Sequence, residues 1–187
     1  MEKPDLIFTI GIPGSGKSWW IKSKSGYEVI SPDSIRAELS DVSDQSIDFQ
    51  AWTTAKERVR KALEKGKNVI LDATNLTASG RSSSKDRKWF VEGLPPHNLK
   101  ARIFDVDPEV AKKRIKDDIE KGRNRSKVPE DVIDIMYNDF KKTVPNLNSE
   151  GFEIISSDIS SHANFLISAS TGIRYIVSKH LAILKDF

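Results

Sequence analysis

Short apolar runs alternating with longer helical-period segments predict an α/β chain: about five mostly parallel strands with helices on both faces of the sheet. Three observations carry that reading. The apolar runs are β-branched and only five or six residues long, as buried parallel strands are. The segments between them are long enough to hold crossover helices. The first run also leads straight into a glycine-rich turn and a helix start, which is a βα unit in miniature.

The elements follow in order. Asp5-Leu6-Ile7-Phe8-Thr9-Ile10 reads as a buried first strand, and a helix is expected over 17–24 after the glycine turn. Tyr27-Glu28-Val29-Ile30-Ser31 is the second strand, followed by helical patterns over 33–40 and 45–65. Asn68-Val69-Ile70-Leu71-Asp72 is the third, with a helix expected over 79–92. Gly93-Leu94-Pro95-Pro96 breaks the chain before a fourth strand at 100–105, and it reads as a connection rather than a domain linker. Helices over 108–121 and 129–143, a fifth strand at 152–156 and a last amphipathic segment near 161–185 complete the pattern. No repeat or low-complexity segment interrupts it, so residues 1–187 are expected to form one domain.

Composition narrows the classes. The 187 residues contain no cysteine, which excludes disulfides, thiolate metal sites and a cysteine nucleophile. His97, His162 and His180 lack metal-ligand spacing. With no basic-then-apolar leader and no apolar run of membrane-spanning length, a soluble cytoplasmic protein is expected. A net charge of +3, with signs interleaved, tolerates a polyanionic partner without demanding one. Oligomeric state leaves no trace in the pattern.

Gly11-Ile12-Pro13-Gly14-Ser15-Gly16-Lys17-Ser18 matches G-x-x-x-x-G-K-[ST], the phosphate-binding loop. Chance would produce it in about one chain of this length in a hundred. Its place between a strand and a helix start is the context the motif requires. The glycines let backbone N–H groups turn inward around the β- and γ-phosphates, and the helix start adds a favourable dipole. Lys17 supplies a point charge to the phosphates, and the Ser18 hydroxyl is suited to ligate Mg2+. A nucleoside triphosphate such as ATP is therefore the expected ligand.

Downstream, Ser31 is a good N-cap and Pro32 a good first helical residue, which places Asp33 and Arg36 three apart on one helical face. They stand at the carboxyl end of a strand, where ligands of open α/β sheets gather. A carboxylate in a first helical turn suits proton acceptance from an attacking hydroxyl; the plainer reading is an i,i+3 ion pair. Asp72-Ala73-Thr74-Asn75 ends the third strand at the same edge. Asp72 could support Mg2+ or its water beside Ser18, and Thr74 and Asn75 could bond the acceptor or Asp33; ordinary turn chemistry explains them equally. Lys121-Gly122-Arg123-Asn124-Arg125-Ser126-Lys127-Val128-Pro129 concentrates cations around a glycine between two helices, as a lid over about 120–130 would, or as a solvated loop would. Arg81, Lys85, Arg87 and Lys88 could meet an acceptor's phosphates, with Trp89 and Phe90 stacking a base; core aromatics and solvated cations are the simpler reading. Of Trp19 and Trp20, at least one is expected to pack on the sheet. Asp105-Val106-Asp107-Pro108 lacks the Gly-Thr continuation of a phosphatase nucleophile pair and is set aside.

Together these residues resemble the 5′-kinase domain of phage and bacterial polynucleotide kinases, within the wider P-loop kinase group. The loop at Gly11–Ser18 resembles that family's G-x-P-G-S-G-K-S, Asp33-Ser34-Ile35-Arg36 its D-x-x-R, and Asp72-Ala73-Thr74-Asn75 its D-x-T-N. Arg123-Asn124-Arg125 with Val128-Pro129-Glu130-Asp131-Val132-Ile133 and Met136-Tyr137 is similar to its lid. The resemblance spans about residues 5–143. It implies a P-loop kinase fold and Asp33 as general base. It also implies Arg36 on the acceptor phosphate, Asp72, Thr74 and Asn75 in acceptor handling, and Arg125 or Arg123 closing over the ATP phosphates. The expected activity is transfer of the γ-phosphate of ATP, with Mg2+, to the 5′-hydroxyl of a DNA or RNA end. A kinase of a small metabolite or nucleoside shares the same skeleton, and an ATP-binding regulatory module without an acceptor shares the loop.

Overall fold

The central strand of the sheet is the one that leads into the glycine loop. In the computed structural model, which describes residues 2–40, 45–76, 86–122 and 128–155, β1 (Asp5–Ile10) is flanked by β3 (Asn68–Leu71) on one side and β4 (Asn98–Ile103) on the other. β2 (Tyr27–Ile30) lies outside β3 and β5 (Glu153–Ile155) outside β4, giving the order β2-β3-β1-β4-β5 with every pair parallel. The expected sheet of five parallel strands is present. All the described elements belong to one compact unit, Met1–Ser157.

β1 has helices on both sides because both of its faces are apolar. Leu6, Phe8 and Ile10 point one way into a core shared with Val69, Leu71 and Ala101. Ala51, Trp52, Ala55 and Val59 of α3 (Asp48–Glu64) close over that face, joined by Phe90 of α4 (Arg87–Val91). Ile115 of α5 (Pro108–Glu120) and Ile133 and Phe140 of α6 (Glu130–Thr143) complete it. Phe8 sits at its centre, edge-on to Phe90 and Phe152 with ring centroids 5.6 Å and 5.2 Å away. On the other face, Ile7 and Ile70 pack with Trp20 and Ile21 of α1 (Lys17–Lys22).

Some boundaries differ from expectation for identifiable reasons. β4 starts at Asn98, two residues early, because the Asn98 N–H donates to the Pro4 carbonyl and its amide donates to the Asp5 carboxylate, fixing the register at the sheet's lower edge. It ends at Ile103, after which the Phe104 N–H still donates to the Ile10 carbonyl. The helix expected over 79–92 is seen only as α4, with Asp86 capping it by accepting from the Lys88 N–H at 2.8 Å. The rest of that expectation, the lid arginines Arg123 and Arg125, and the amphipathic segment over 161–185 lie outside the described residues. Within α4, Phe90 is core and Trp89 is partly buried under the Lys56 ammonium. Arg87 is not a solvated cation: it is buried, grips Glu150 through two nitrogens at 2.7 Å and 2.6 Å, and donates to the Asn75 carbonyl.

No helix among the described residues is long and apolar enough to cross a membrane. Phe8→Ala should cost about 3–5 kcal/mol by opening a cavity between Phe90 and Phe152. Urea unfolding of the two proteins measures it.

Candidate active site

β1 leads toward β2 on one side and β4 toward β5 on the other, so the chain diverges at the carboxyl ends of these two strands. That switch point is where open α/β sheets bind ligands, and here it holds a cleft of about 1130 Å³. Pro13, Gly14, Ser15, Gly16, Lys17 and Ser18 form one wall. Asp33 from α2 (Pro32–Leu39) and Asp72 and Thr74 from the end of β3 form another.

The loop is held by its neighbours' backbones. The Gly11 N–H donates to the Thr74 carbonyl at 3.2 Å, tying the loop to the end of β3. A β-carbon on Gly11 would lie 2.8 Å from the Phe104 carbonyl oxygen, so no side chain fits there. Gly14 has φ +82°, and a β-carbon there would lie 2.7 Å from the Ala111 carbonyl of α5. The Lys17 ammonium folds back over this frame and donates to the Gly11 and Ile12 carbonyls, both at 2.8 Å. The residues fit a triphosphate: a glycine-shaped backbone cradle with one ammonium bent over it. They also fit Mg2+ brought in with that nucleotide, since the Ser18 hydroxyl and Asp72 carboxylate are both hard oxygen donors on the cleft wall. No group of three acidic, histidine or cysteine side chains that could hold a metal alone exists among the described residues.

Ser31 caps α2 by accepting from the Ser34 N–H, with Pro32 at the first helical position, so Asp33 is placed as expected. Its carboxylate is 59% exposed and ion-paired with the Arg36 guanidinium. Arg36 is buried and reaches the other way to the Asp48 carboxylate at 2.9 Å. It therefore braces Asp33 from behind and does not line the cleft, in contrast to the acceptor contact that the resemblance implies. Asn75 is also turned inward: at φ +50° its amide donates to the Thr9 carbonyl at 2.9 Å and to those of Leu71 and Ala73. This is the strand-end chemistry its residue type also allowed.

Asp72 is the electrostatically unusual group. Burial pushes its carboxyl above the ordinary range, the Lys17 ammonium pulls it down, and the Asp33 carboxylate pushes it up. All three charges thus share one field. Arg102 of β4 and Phe104 just after it, Arg114 and Asp118 of α5, and Trp19 and Lys22 of α1 also line the cleft, none of them foreseen as site residues. Arg114 Nη1 donates to the Gly14 carbonyl at 3.2 Å. Only the strand order, which seats β4 and α5 beside the loop, could have drawn attention to them. Asp105, set aside as a nucleophile, hydrogen-bonds Tyr137 and is raised by burial, while Asp107 caps α5.

The class follows from this frame: a P-loop in a 2-3-1-4-5 parallel sheet with catalytic-type side chains at the next strand ends defines a P-loop kinase-like enzyme. The family model described as an AAA domain matches residues 6–143, and the chain belongs to that family. Among curated relatives, it is 27% identical over 148 residues to an Acanthamoeba polyphaga mimivirus protein named as a bifunctional polynucleotide phosphatase/kinase, covering 75% of this chain and 30% of that one. It is 30% identical over 124 residues to an Autographa californica nuclear polyhedrosis virus protein named as a bifunctional polynucleotide kinase/RNA ligase, covering 58% and 17%. The chain thus spans under a third of either relative. The fold matches a chain in a Pnkp1/Rnl/Hen1 RNA repair complex with TM-score 0.63 at 20% identity, over 89% of this chain and 54% of that one. It matches a chain titled as a kinase from Chloroflexus aurantiacus with TM-score 0.56 at 16% identity, over 72% and 78%.

Because the folded pKa of Asp72 lies above the ordinary 3.8, the folded chain holds that proton more tightly than the unfolded chain. Its contribution to stability is most favourable below 3.8 and falls as pH rises through the raised value. Asp72→Asn should remove that fall and raise the neutral-pH melting temperature, read from melting curves of both proteins across pH. A variant less stable at neutral pH would show that Lys17 more than offsets the burial.

Proposed function

We propose that this chain is an ATP- and Mg2+-dependent kinase that transfers the γ-phosphate to the 5′-hydroxyl of a DNA or RNA end. The observation that carries the reading is the exposed Asp33 carboxylate on the same cleft as Lys17, held from behind by Arg36. A kinase needs such a carboxylate to orient the acceptor hydroxyl and collect its proton, and the openness of Asp33 lets an acceptor larger than water reach it. The bond from the γ-phosphorus to the bridging oxygen breaks, leaving ADP, as the acceptor oxygen bonds phosphorus and its proton passes to Asp33. Lys17 and the loop N–H groups hold the phosphates; Mg2+ brought in with the nucleotide would be held by Ser18 and Asp72 and would neutralise phosphate charge. Thr74 lines the cleft beside Asp72 and offers its hydroxyl to the acceptor. The nucleic acid acceptor draws its support from the motif resemblance and from the names of the two viral relatives.

Incubation with γ-labelled ATP and 5′-hydroxyl DNA, RNA, nucleosides and sugars tests this directly. Label should appear on the oligonucleotides, and Lys17→Ala and Asp33→Ala should each lower transfer at least about a hundredfold. Label confined to a small acceptor would replace the nucleic acid with that acceptor. ATP turnover unaffected by Asp33→Ala would leave only an acceptor-free ATPase.

A further inference from the structure

Trp19 directly follows Ser18 of the loop and is 79% exposed. Its neighbour Trp20 is buried, with its ring edge-on to Phe104 at 5.7 Å and the Arg102 guanidinium over it at 5.6 Å. Consecutive side chains on a helix point about 100° apart, so only one of two adjacent tryptophans can reach the sheet. Nothing in the packing asks for an indole at the outward position. Yet among the described residues Trp19 is the only exposed large hydrophobic side chain that lines the cleft. Ligand clefts are lined mainly by apolar and aromatic side chains, and an aromatic ring open on a cleft wall is suited to meet the ligand.

The position selects which part of the ligand. Asp33 and Asp72 come from the ends of β2 and β3, on one side of β1. Trp20, through Phe104 and Arg102, fastens the first turn of α1 to β4, on the opposite side. An acceptor hydroxyl belongs with the carboxylates, so the nucleoside of the donor leaves the loop toward β4. Lys22, one turn beyond Trp19, lines the same cleft with a cation suited to polyphosphate.

We propose that Trp19 is the base-stacking residue of the donor subsite, its indole face receiving the purine of the nucleoside triphosphate. The assignment rests on the reading of the loop as a triphosphate site. Every base offers a π-face, so this contact adds affinity without choosing adenine over guanine.

Equilibrium binding of Mg-ATP, Mg-GTP and base-free Mg-tripolyphosphate to the wild type, Trp19→Ala and Trp19→Phe separates the possibilities. Trp19→Ala should weaken both nucleotides about tenfold and leave tripolyphosphate unchanged, and Trp19→Phe should restore most of the loss. An equal loss for tripolyphosphate would overturn the proposal by making Trp19 a support of the loop. Unchanged nucleotide affinity with a raised KM for a 5′-hydroxyl oligonucleotide would also overturn it, moving the indole to the acceptor. If the wild type bound neither nucleotide nor tripolyphosphate, the triphosphate site itself would fall, and the assignment with it.

Discussion

Two glycines leave no room for a side chain, and the arrangement of the cleft depends on them. Gly11 lies against the backbone that leaves β4, and Gly14 lies against the first turns of α5 at a positive φ. These approaches are possible because β1 and β4 are neighbours in the sheet, which brings the exits of both strands to one place. Close backbone contact makes the loop a fixed part of the sheet edge instead of a tether. The Gly11 bond to the Thr74 carbonyl then attaches β3 to the same frame. Groups from three strand ends are thereby held in register with one another by main-chain contacts in a close-packed frame.

The charges placed on that frame are arranged in layers. Arg36 is buried between two carboxylates, Asp33 and Asp48, so its desolvated guanidinium is compensated on both sides. The bidentate bridge from Arg87 to Glu150 serves a similar end after β3, where Arg87 also holds the Asn75 carbonyl. In each case a buried arginine fixes the backbone or carboxylate next to the cleft without entering it. Substituting one partner alone would strand a buried charge, so each residue constrains the others.

The strands, their mostly parallel sense and the loop were legible in the sequence because each rests on local signals: β-branched runs, glycine spacing, and Ser31-Pro32 as a helix start. The order of the strands was not. Asp33 and Asp72 were legible for the same reason, since a strand end fixes where a short side chain stands. Arg36, Arg87 and Asn75 were not. A long or amide side chain can turn outward to a ligand or inward to a neighbour, and the inward partners Asp48, Glu150 and Thr9 are distant in sequence. The α5 residues Arg114 and Asp118 escaped notice because a helix polar on several faces does not declare which face meets the loop.

The contrast between the two carboxylates argues for a division of labour within the proposed transfer. Asp33 is open to solvent and held at its base, so an acceptor arriving from outside meets it first. Asp72 is withdrawn, and burial alone would favour its neutral form; the nearby Lys17 ammonium opposes that. A bound cation would oppose it further, since a divalent charge beside a buried carboxylate stabilises the ionised form. Asp72 is thus suited to the inner, metal-facing side with Ser18, and Asp33 to the outer, acceptor-facing side. Of the two acidic residues of opposite accessibility, the exposed one is the residue that an acceptor of any size can reach.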